Sequence, residues 1–154
     1  LRDLVDEVCR HAEILAGDKD IRIIIAFLES VIINGDEVRL RQMIWNILHN
    51  GIKYTKPKGE LKISLQDEGE SALLTLQDTG IGIPEKDLPF IFDRFYRVDK
   101  ARSRDEGGSG LGLSICQHIA EAHKGKITVE SKPGVGTRFK IRIPSVTPAA
   151  KKPH

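Results

Sequence analysis

The chain is 154 residues long, enough for one ordinary domain with a single buried core. A hydrophobic share of 40% beside a charged share of 30% is that of a globular protein, which excludes the fibrous and low-complexity classes. The formal net charge of +2 offers no bulk reason to expect nucleic acid or an anionic membrane as a partner, and no apolar run approaches the roughly 20 residues that cross a bilayer.

Leu1, Leu4, Val5, Val8, Ala12 and Leu15 recur at helical spacing, and Gly17 predicts the end of that helix. The chain opens without Met inside this pattern, so residues 1–16 read as a helical segment continuing from something upstream. Residues 21–27 (IRIIIAF) and 31–33 (VII) are β-branched and predict strands. Asp36 occupies an N-cap position, and Glu37 to Tyr54 predicts a long amphipathic helix. KPKG is a turn, after which LKISLQ and ALLTLQD predict neighbouring antiparallel strands, the second ending at Asp78. A glycine-, proline- and charge-rich stretch then runs from Gly80 to about Gly108; loops of that length are functional lids or disordered. Residues 110–123 predict another amphipathic helix closed by Gly125, and ITVES and RFKIRIP a hairpin across PGVG. Residues 17–146 thus form one domain, and 147–154 a polar, disordered tail. The order of elements predicts a two-layer α/β sandwich. Cys9 and Cys116 lack CxxC spacing and read as reduced, buried residues, which fits a cytosolic setting.

Three segments carry chemistry. On the helix from Glu37 to Tyr54, the side chains Arg39, Gln42, Asn46, Asn50 and Lys53 fall within about 40° of Asn46, away from the apolar stripe. A solvated polar face would look the same. However, asparagine is a poor helix former, and its neutral carbonyl oxygen can ligate Mg²⁺, a hard cation that also takes phosphate oxygens. Lys53, one turn on, is positioned to reach a phosphate. In Asp78-Thr79-Gly80-Ile81-Gly82-Ile83-Pro84, a carboxylate at a strand end can accept from an exocyclic amine such as adenine's, and the glycines allow close backbone approach to a ring. A plain loop would also use such residues. Gly107-Gly108-Ser109-Gly110-Leu111-Gly112 stands before a helix, where free amides make an anion site; the bland reading is a flexible linker. No GxxxxGK[ST] occurs, and Leu113 stands where a dinucleotide fingerprint needs its third glycine, which disfavours P-loop and Rossmann chemistry. In the long loop, Phe90, Phe92, Phe95 and Tyr96 interleave with Arg94, Arg97, Lys100, Arg102 and Arg104. They read either as an anchor with solvated charges or as aromatics docking a lid whose arginines clamp phosphates.

NILHNGIKYT, DTGIGIP, IFDRFYRVD, GGSGLGLSI and GVGTRFKIRIP, in this order, resemble the ATP-binding catalytic domain of bacterial sensor histidine kinases, over about residues 1–144. The resemblance implies a mixed five-stranded sheet covered on one face by about three helices, with a mobile ATP lid. It implies that Asn50 ligates Mg²⁺ with help from Asn46, and that Lys53 and Tyr54 contact the phosphate and lid side. Asp78 would bind the adenine amine beside Gly80, Gly82 and Ile83, with Thr137 close below. Arg97 would reach the γ-phosphate with Arg102 assisting, and Gly108, Gly110, Leu111, Gly112 and Leu113 would line the phosphate cradle. In that family Asn46, Asn50, Lys53 and Arg97 would carry the catalytic role.

The family also implies partners: a dimerisation and phosphoacceptor domain of the same protein, and a response regulator. Nucleic acid is not among them. The whole protein would be a membrane-anchored homodimer of the inner membrane with this domain in the cytoplasm, and the isolated piece a monomer. One feature of a complete kinase is missing. None of His11, His49, His118, His123 and His154 has the HExxxP context of the phosphoacceptor. Two other readings stand beside the kinase. An ATP-hydrolysing relative would carry a glutamate base where this chain has Asn46, and a non-catalytic scaffold would not need its nucleotide motifs intact.

Overall fold

In the computed structural model, residues 1–96 and 112–146 are described. Among them the elements run α1 (Arg2–Asp18), β1 (Arg22–Leu28), α2 (Glu37–Tyr54), β2 (Glu60–Asp67), β3 (Ser71–Asp78), a 3₁₀ turn at Leu88–Phe90, α3 (Gly112–Ala122), β4 (Lys126–Lys132) and β5 (Gly136–Pro144). The strands make one sheet in the order β1-β2-β3-β5-β4. β1 pairs parallel with β2 and every other neighbour pairs antiparallel, so the sheet is mixed, as the resemblance implied.

Alternation along the strands splits the sheet into two faces. Leu61, Ile63 and Leu65 of β2, Ala72, Leu74 and Leu76 of β3, and Phe139, Ile141 and Ile143 of β5 are buried against the helices. α2 meets them with Leu40, Met43, Ile44, Ile47, Leu48 and Ile52, the apolar stripe expected from its periodicity. α1 adds Leu4, Val5, Val8, Cys9, Ala12 and Ala16 to the same core, and α3 adds Cys116, Ile119 and Ala120. Both cysteines are free and buried, and burial pushes each thiol up to about 12, so neither is a reactive thiolate. The opposite face carries no described helix. Its cross-strand rows are polar, running from Lys62 through Gln77 to Arg138 and from Ser64 through Thr75 to Lys140.

α2 has the bounds its sequence predicts. The Asp36 carboxylate accepts from the backbone N–H groups of Val38 and Arg39 at 3.0 and 3.2 Å, satisfying two donors at the helix start. Its far end is closed by a residue no local pattern singles out. Lys19 Nζ donates to the Ile52 and Lys53 carbonyls at 2.9 and 2.6 Å.

Two expectations fail. α1 does not end at Gly17 but runs on to Asp18, and the left-handed residue that turns the chain is Asp20, with φ 59°. Residues 31–33 form no strand. Val31 is buried, but Ile33 makes only an isolated bridge to Ser145. Their described pairing is limited to the residues just past β5, through that bridge and a hydrogen bond from the Val146 N–H to the Ile32 carbonyl at 2.7 Å, and intrinsic preference alone does not extend it into a ladder.

Candidate functional site

Asp78 is the last residue of β3, where its strand leaves the sheet between Leu61 of β2 and Thr137 of β5. It is only 8% exposed. One carboxylate oxygen, Oδ1, accepts from the backbone N–H groups of Gly80 at 2.9 Å and Thr137 at 3.1 Å. Burial raises the acid's pKa above the ordinary carboxylate value, and these two donors pull it partly back. Oδ2 has no hydrogen-bond partner among the described residues, and no buried polar side-chain atom among them is orphaned, so this oxygen meets solvent. It faces α2, 3.7 Å from where a Cβ on Gly51 would stand. The result is a rigid carboxylate with one oxygen engaged by the protein and one open to a donor from outside.

The loop after Asp78 is pinned on two sides. The Ile81 N–H donates to the Tyr54 carbonyl at the end of α2 at 3.1 Å, and the Gly134 N–H donates to the Ile81 carbonyl at 2.8 Å. The glycines here allow a close approach of protein backbone. A Cβ on Gly80 would lie 2.5 Å from the Tyr54 carbonyl oxygen, and one on Gly82, which holds φ 74°, would lie 2.2 Å from that of Lys132. Ser131 completes the frame. Its hydroxyl accepts from the Ile83 N–H at 2.8 Å, lies 2.9 Å from the Thr137 hydroxyl and is 3.0 Å from the Gly136 carbonyl. Ser131 is a site residue that sequence reasoning missed, since a serine in a short strand of alternating pattern carries no signal.

α2 runs alongside, its polar stripe exposed at Arg39 and Gln42 and half-buried from Asn46 on. Asn46, Asn50, Lys53 and Tyr54 are all intermediate in exposure. The Asn46 side chain hydrogen-bonds the Cys116 thiol of α3, which lowers that thiol's pKa against the larger effect of burial. The Lys53 ammonium sits 5.4 Å from the centre of the Tyr54 ring. One helix thus touches the middle of α3 through Asn46, the Asp78 carboxylate through Gly51 and the Asp78 loop through Tyr54.

Gly112 opens α3, a Cβ there meeting nothing within 4 Å among the described residues, and Leu113 packs against the core. Arg97, Arg102, Gly108, Gly110 and Leu111 lie outside the described residues. The aromatics before them divide differently from expectation. Phe92 docks edge-on against Phe139 of β5, 6.4 Å between ring centres, and Ile91 beside it is buried. Phe90 and Phe95 remain exposed, at 47% and 64%. A single 3₁₀ turn points only part of such a segment inward. The Tyr96 hydroxyl donates to the Asp87 carboxylate, which raises the tyrosine's pKa.

Residues 35–147 match the family model described as histidine kinase-, DNA gyrase B-, and HSP90-like ATPase. The phosphate regulon sensor protein PhoR of Pseudomonas aeruginosa is 37% identical over 136 residues, 88% of this chain and 31% of that protein. The sensor histidine kinase RppB of Synechocystis is 46% identical over 110 residues, 71% of this chain and 24% of that protein. The chain therefore spans about a quarter to a third of these relatives' length. Among solved structures, the mycobacterial sensor histidine kinase MprB superposes with a TM-score of 0.81 at 28% identity, covering 93% of this chain and 94% of that one. The nucleotide-free catalytic domain of histidine kinase ThkA gives 0.80 at 28% identity, covering 94% of each. Full-length ShkA in complex with AMPPNP gives 0.82 at 29% identity, covering 96% of this chain and 30% of that one. With the family model matched across most of its length and this fold, the chain belongs to the histidine kinase-, DNA gyrase B- and HSP90-like ATPase family, as a catalytic domain of the sensor histidine kinase kind.

Proposed function

We propose that this domain binds Mg·ATP between α2 and the Asp78 loop and delivers the γ-phosphoryl group to a histidine on a dimerisation domain of the same protein, from which it passes to a response regulator. The observation that carries the nucleotide reading is the solvent-facing Oδ2 of Asp78, held rigid by two backbone donors to Oδ1. Such an oxygen accepts a hydrogen bond from an exocyclic amine, and an adenine lodged there would extend its phosphates along Asn46, Asn50 and Lys53. The ShkA complex with AMPPNP agrees with this use of the fold.

The donor set also fits Mg²⁺. Among the described residues no cluster of three or more His, Cys, Asp or Glu could hold a metal by itself. A cation here would instead take neutral amide oxygens and the nucleotide's own phosphates. Asn50, with Asn46 beside it, offers the former, and Mg²⁺ accepts such a mixed shell with its remaining waters. Bound there, it would neutralise charge on the phosphates. Lys53 would add a cation from the same stripe, and Arg97 and Arg102 would close on the terminal phosphate. Transfer of this kind rests on positioning and charge stabilisation rather than on a base in this domain, because an acceptor imidazole is already a nucleophile. The whole protein would be a homodimer anchored in the inner membrane, with this domain on the cytoplasmic side; among the described residues no helix is long and apolar enough to cross a membrane.

The test uses purified residues 1–154. They should bind Mg·ATP in calorimetry, remain unlabelled by γ-labelled ATP and hydrolyse it negligibly, because a missing general base is worth about 10²–10⁴-fold. Adding a cognate acceptor domain should restore labelling on that domain's histidine. Robust turnover abolished by Asn50→Ala would replace the kinase reading with a hydrolase, and absence of nucleotide binding would leave a scaffold.

A further inference from the structure

The face of the sheet that carries no helix among the described residues concentrates positive charge on a nearly neutral chain. Lys62, Arg138, Lys140, Arg142 and Lys126 stand in three adjoining cross-strand rows, with Glu130 as the carboxylate among them. Five cations against one anion is an excess of four. The chain totals 24 cations and 22 acids, so everything outside these rows sums to −2. The excess is only partly neutralised internally. Lys140 pairs with Glu130 at 3.3 Å and Arg142 with Glu68 at 3.0 Å, but Arg138 donates only to the neutral amide oxygen of Gln77. Among the described residues, Lys62 and Lys126 make no ion pair. A cluster of this kind costs self-repulsion in the free protein, which an acidic partner would relieve.

The same face holds a cleft of about 370 Å³ whose walls include Lys62, Arg138, Lys140, Ser64, Thr75 and Phe27. Phe27 is there because of a bulge. Ile25 pairs with Ile63 on the core side, the register then slips at Ala26, and Phe27 pairs with Ser64 on the open side. Without the extra residue Phe27 would fall opposite Leu65 and point into the core. The bulge turns it outward instead, 47% exposed at the edge of a cationic cleft. A large aromatic so directed stabilises no core and is suited to contact from outside.

We propose that this face docks an acidic segment of a partner protein, whose carboxylates meet Lys62, Arg138 and Lys140 and whose apolar side chain covers Phe27. Charge complementarity selects the acidic partner, and the aromatic wall together with the serine and threonine hydroxyls selects a polypeptide. Single-stranded nucleic acid needs several stacking rings, and Phe27 is the one aromatic among the described residues lining this cleft. A membrane surface is flat and would not fill a cleft between strands. Asp78 and Thr137 point to the other side of the sheet, so docking here leaves the nucleotide site open and does not depend on the kinase reading.

The experiment is fluorescence anisotropy on the full 154-residue chain with a labelled peptide of alternating Glu and Leu. A Gln and Leu counterpart and a single-stranded oligonucleotide of equal charge are the comparisons. The Glu-Leu peptide should bind most tightly, with an affinity that falls as salt rises. Lys62→Glu combined with Lys140→Glu should weaken it by about tenfold or more. Phe27→Ser should weaken it with unchanged salt dependence. Mg·ATP affinity and melting temperature serve as folding controls, and if the double variant melts early, Lys62→Gln alone replaces it and should still weaken the peptide. Peptide-induced amide shifts should fall on the outward rows of β2, β3 and β5. Equal or tighter oligonucleotide binding, equal binding of the Gln-Leu peptide, or undiminished binding by a folded charge variant would each overturn the proposal.

Discussion

The hydroxyl of Ser131 accepts a hydrogen bond from the backbone N–H of Ile83 at 2.8 Å, joining the Asp78 loop to a hairpin 48 residues further along the chain. The same hydroxyl is within 3.0 Å of the Gly136 carbonyl and 2.9 Å of the Thr137 hydroxyl, whose backbone N–H in turn holds Asp78. Ser131→Ala removes the acceptor and leaves the Ile83 N–H short of a partner. A loss of about 1–3 kcal/mol is expected, and the melting temperature should fall by about 2–4 °C per kcal/mol. ATP affinity should fall as well, because the loop would no longer be held beside Asp78. A melt indistinguishable from that of the parent chain would show that the loop is secured without Ser131.

Asp78 is a site where function and stability oppose one another. Its raised pKa means that the folded state holds the proton more tightly than the unfolded one. Its contribution to stability is thus fully present below the unfolded pKa, about 4, and is lost as pH rises through the folded value. Asp78→Asn keeps an oxygen for the Gly80 and Thr137 N–H groups but has no charge to bury. The variant should gain in melting temperature relative to the parent as pH rises from about 4 towards neutrality, while its affinity for ATP falls. A stability difference that does not change with pH would show that burial of this charge costs nothing.

Gly82 and Gly69 separate crowding from backbone strain. Both hold positive φ, 74° and 92°, but a Cβ on Gly82 would stand 2.2 Å from the Lys132 carbonyl oxygen, whereas one on Gly69 meets nothing within 4 Å. Gly69→Ala should cost about 1 kcal/mol from backbone strain alone. Gly82→Ala should cost at least about 2 kcal/mol more, since carbonyl and loop must move apart. Chemical denaturation of the two variants makes the comparison; equal costs would mean that the loop yields freely.

Asn50→Asp tests the metal side of the proposed site. It swaps a neutral oxygen donor for a charged one next to a triphosphate, at a half-buried position on α2. Productive binding of Mg·ATP and transfer to an acceptor domain should both weaken, with little change in the melt of the nucleotide-free protein. Unchanged affinity and transfer would remove Asn50 from the ligand shell.

Much of the site could be read before any fold was known, and the reason lies in the range of the forces involved. The bounds of α2, its apolar stripe and its Asp36 cap depend on neighbours within a turn or two, so local spacing alone specified them. Asp78 at a strand end and the glycines after it were equally visible as a motif. The protein backbone packed against those glycines was not. They permit approach to Tyr54 and Lys132, which only folding brings alongside. Lys19 on the end of α2 and Ser131 under Ile83 act across 33 and 48 residues and leave no pattern in the chain. Residues 31–33 fail in the opposite sense, with strand-forming side chains but only an isolated bridge to Ser145 among the described residues. By itself the sequence determined the period of most elements and the identity of the family, and it named the candidates for the site. The tertiary structure decided which backbone groups hold Asp78, which oxygen is left free, and that a one-residue bulge turns Phe27 outward, because each depends on pairing register between segments distant in the chain.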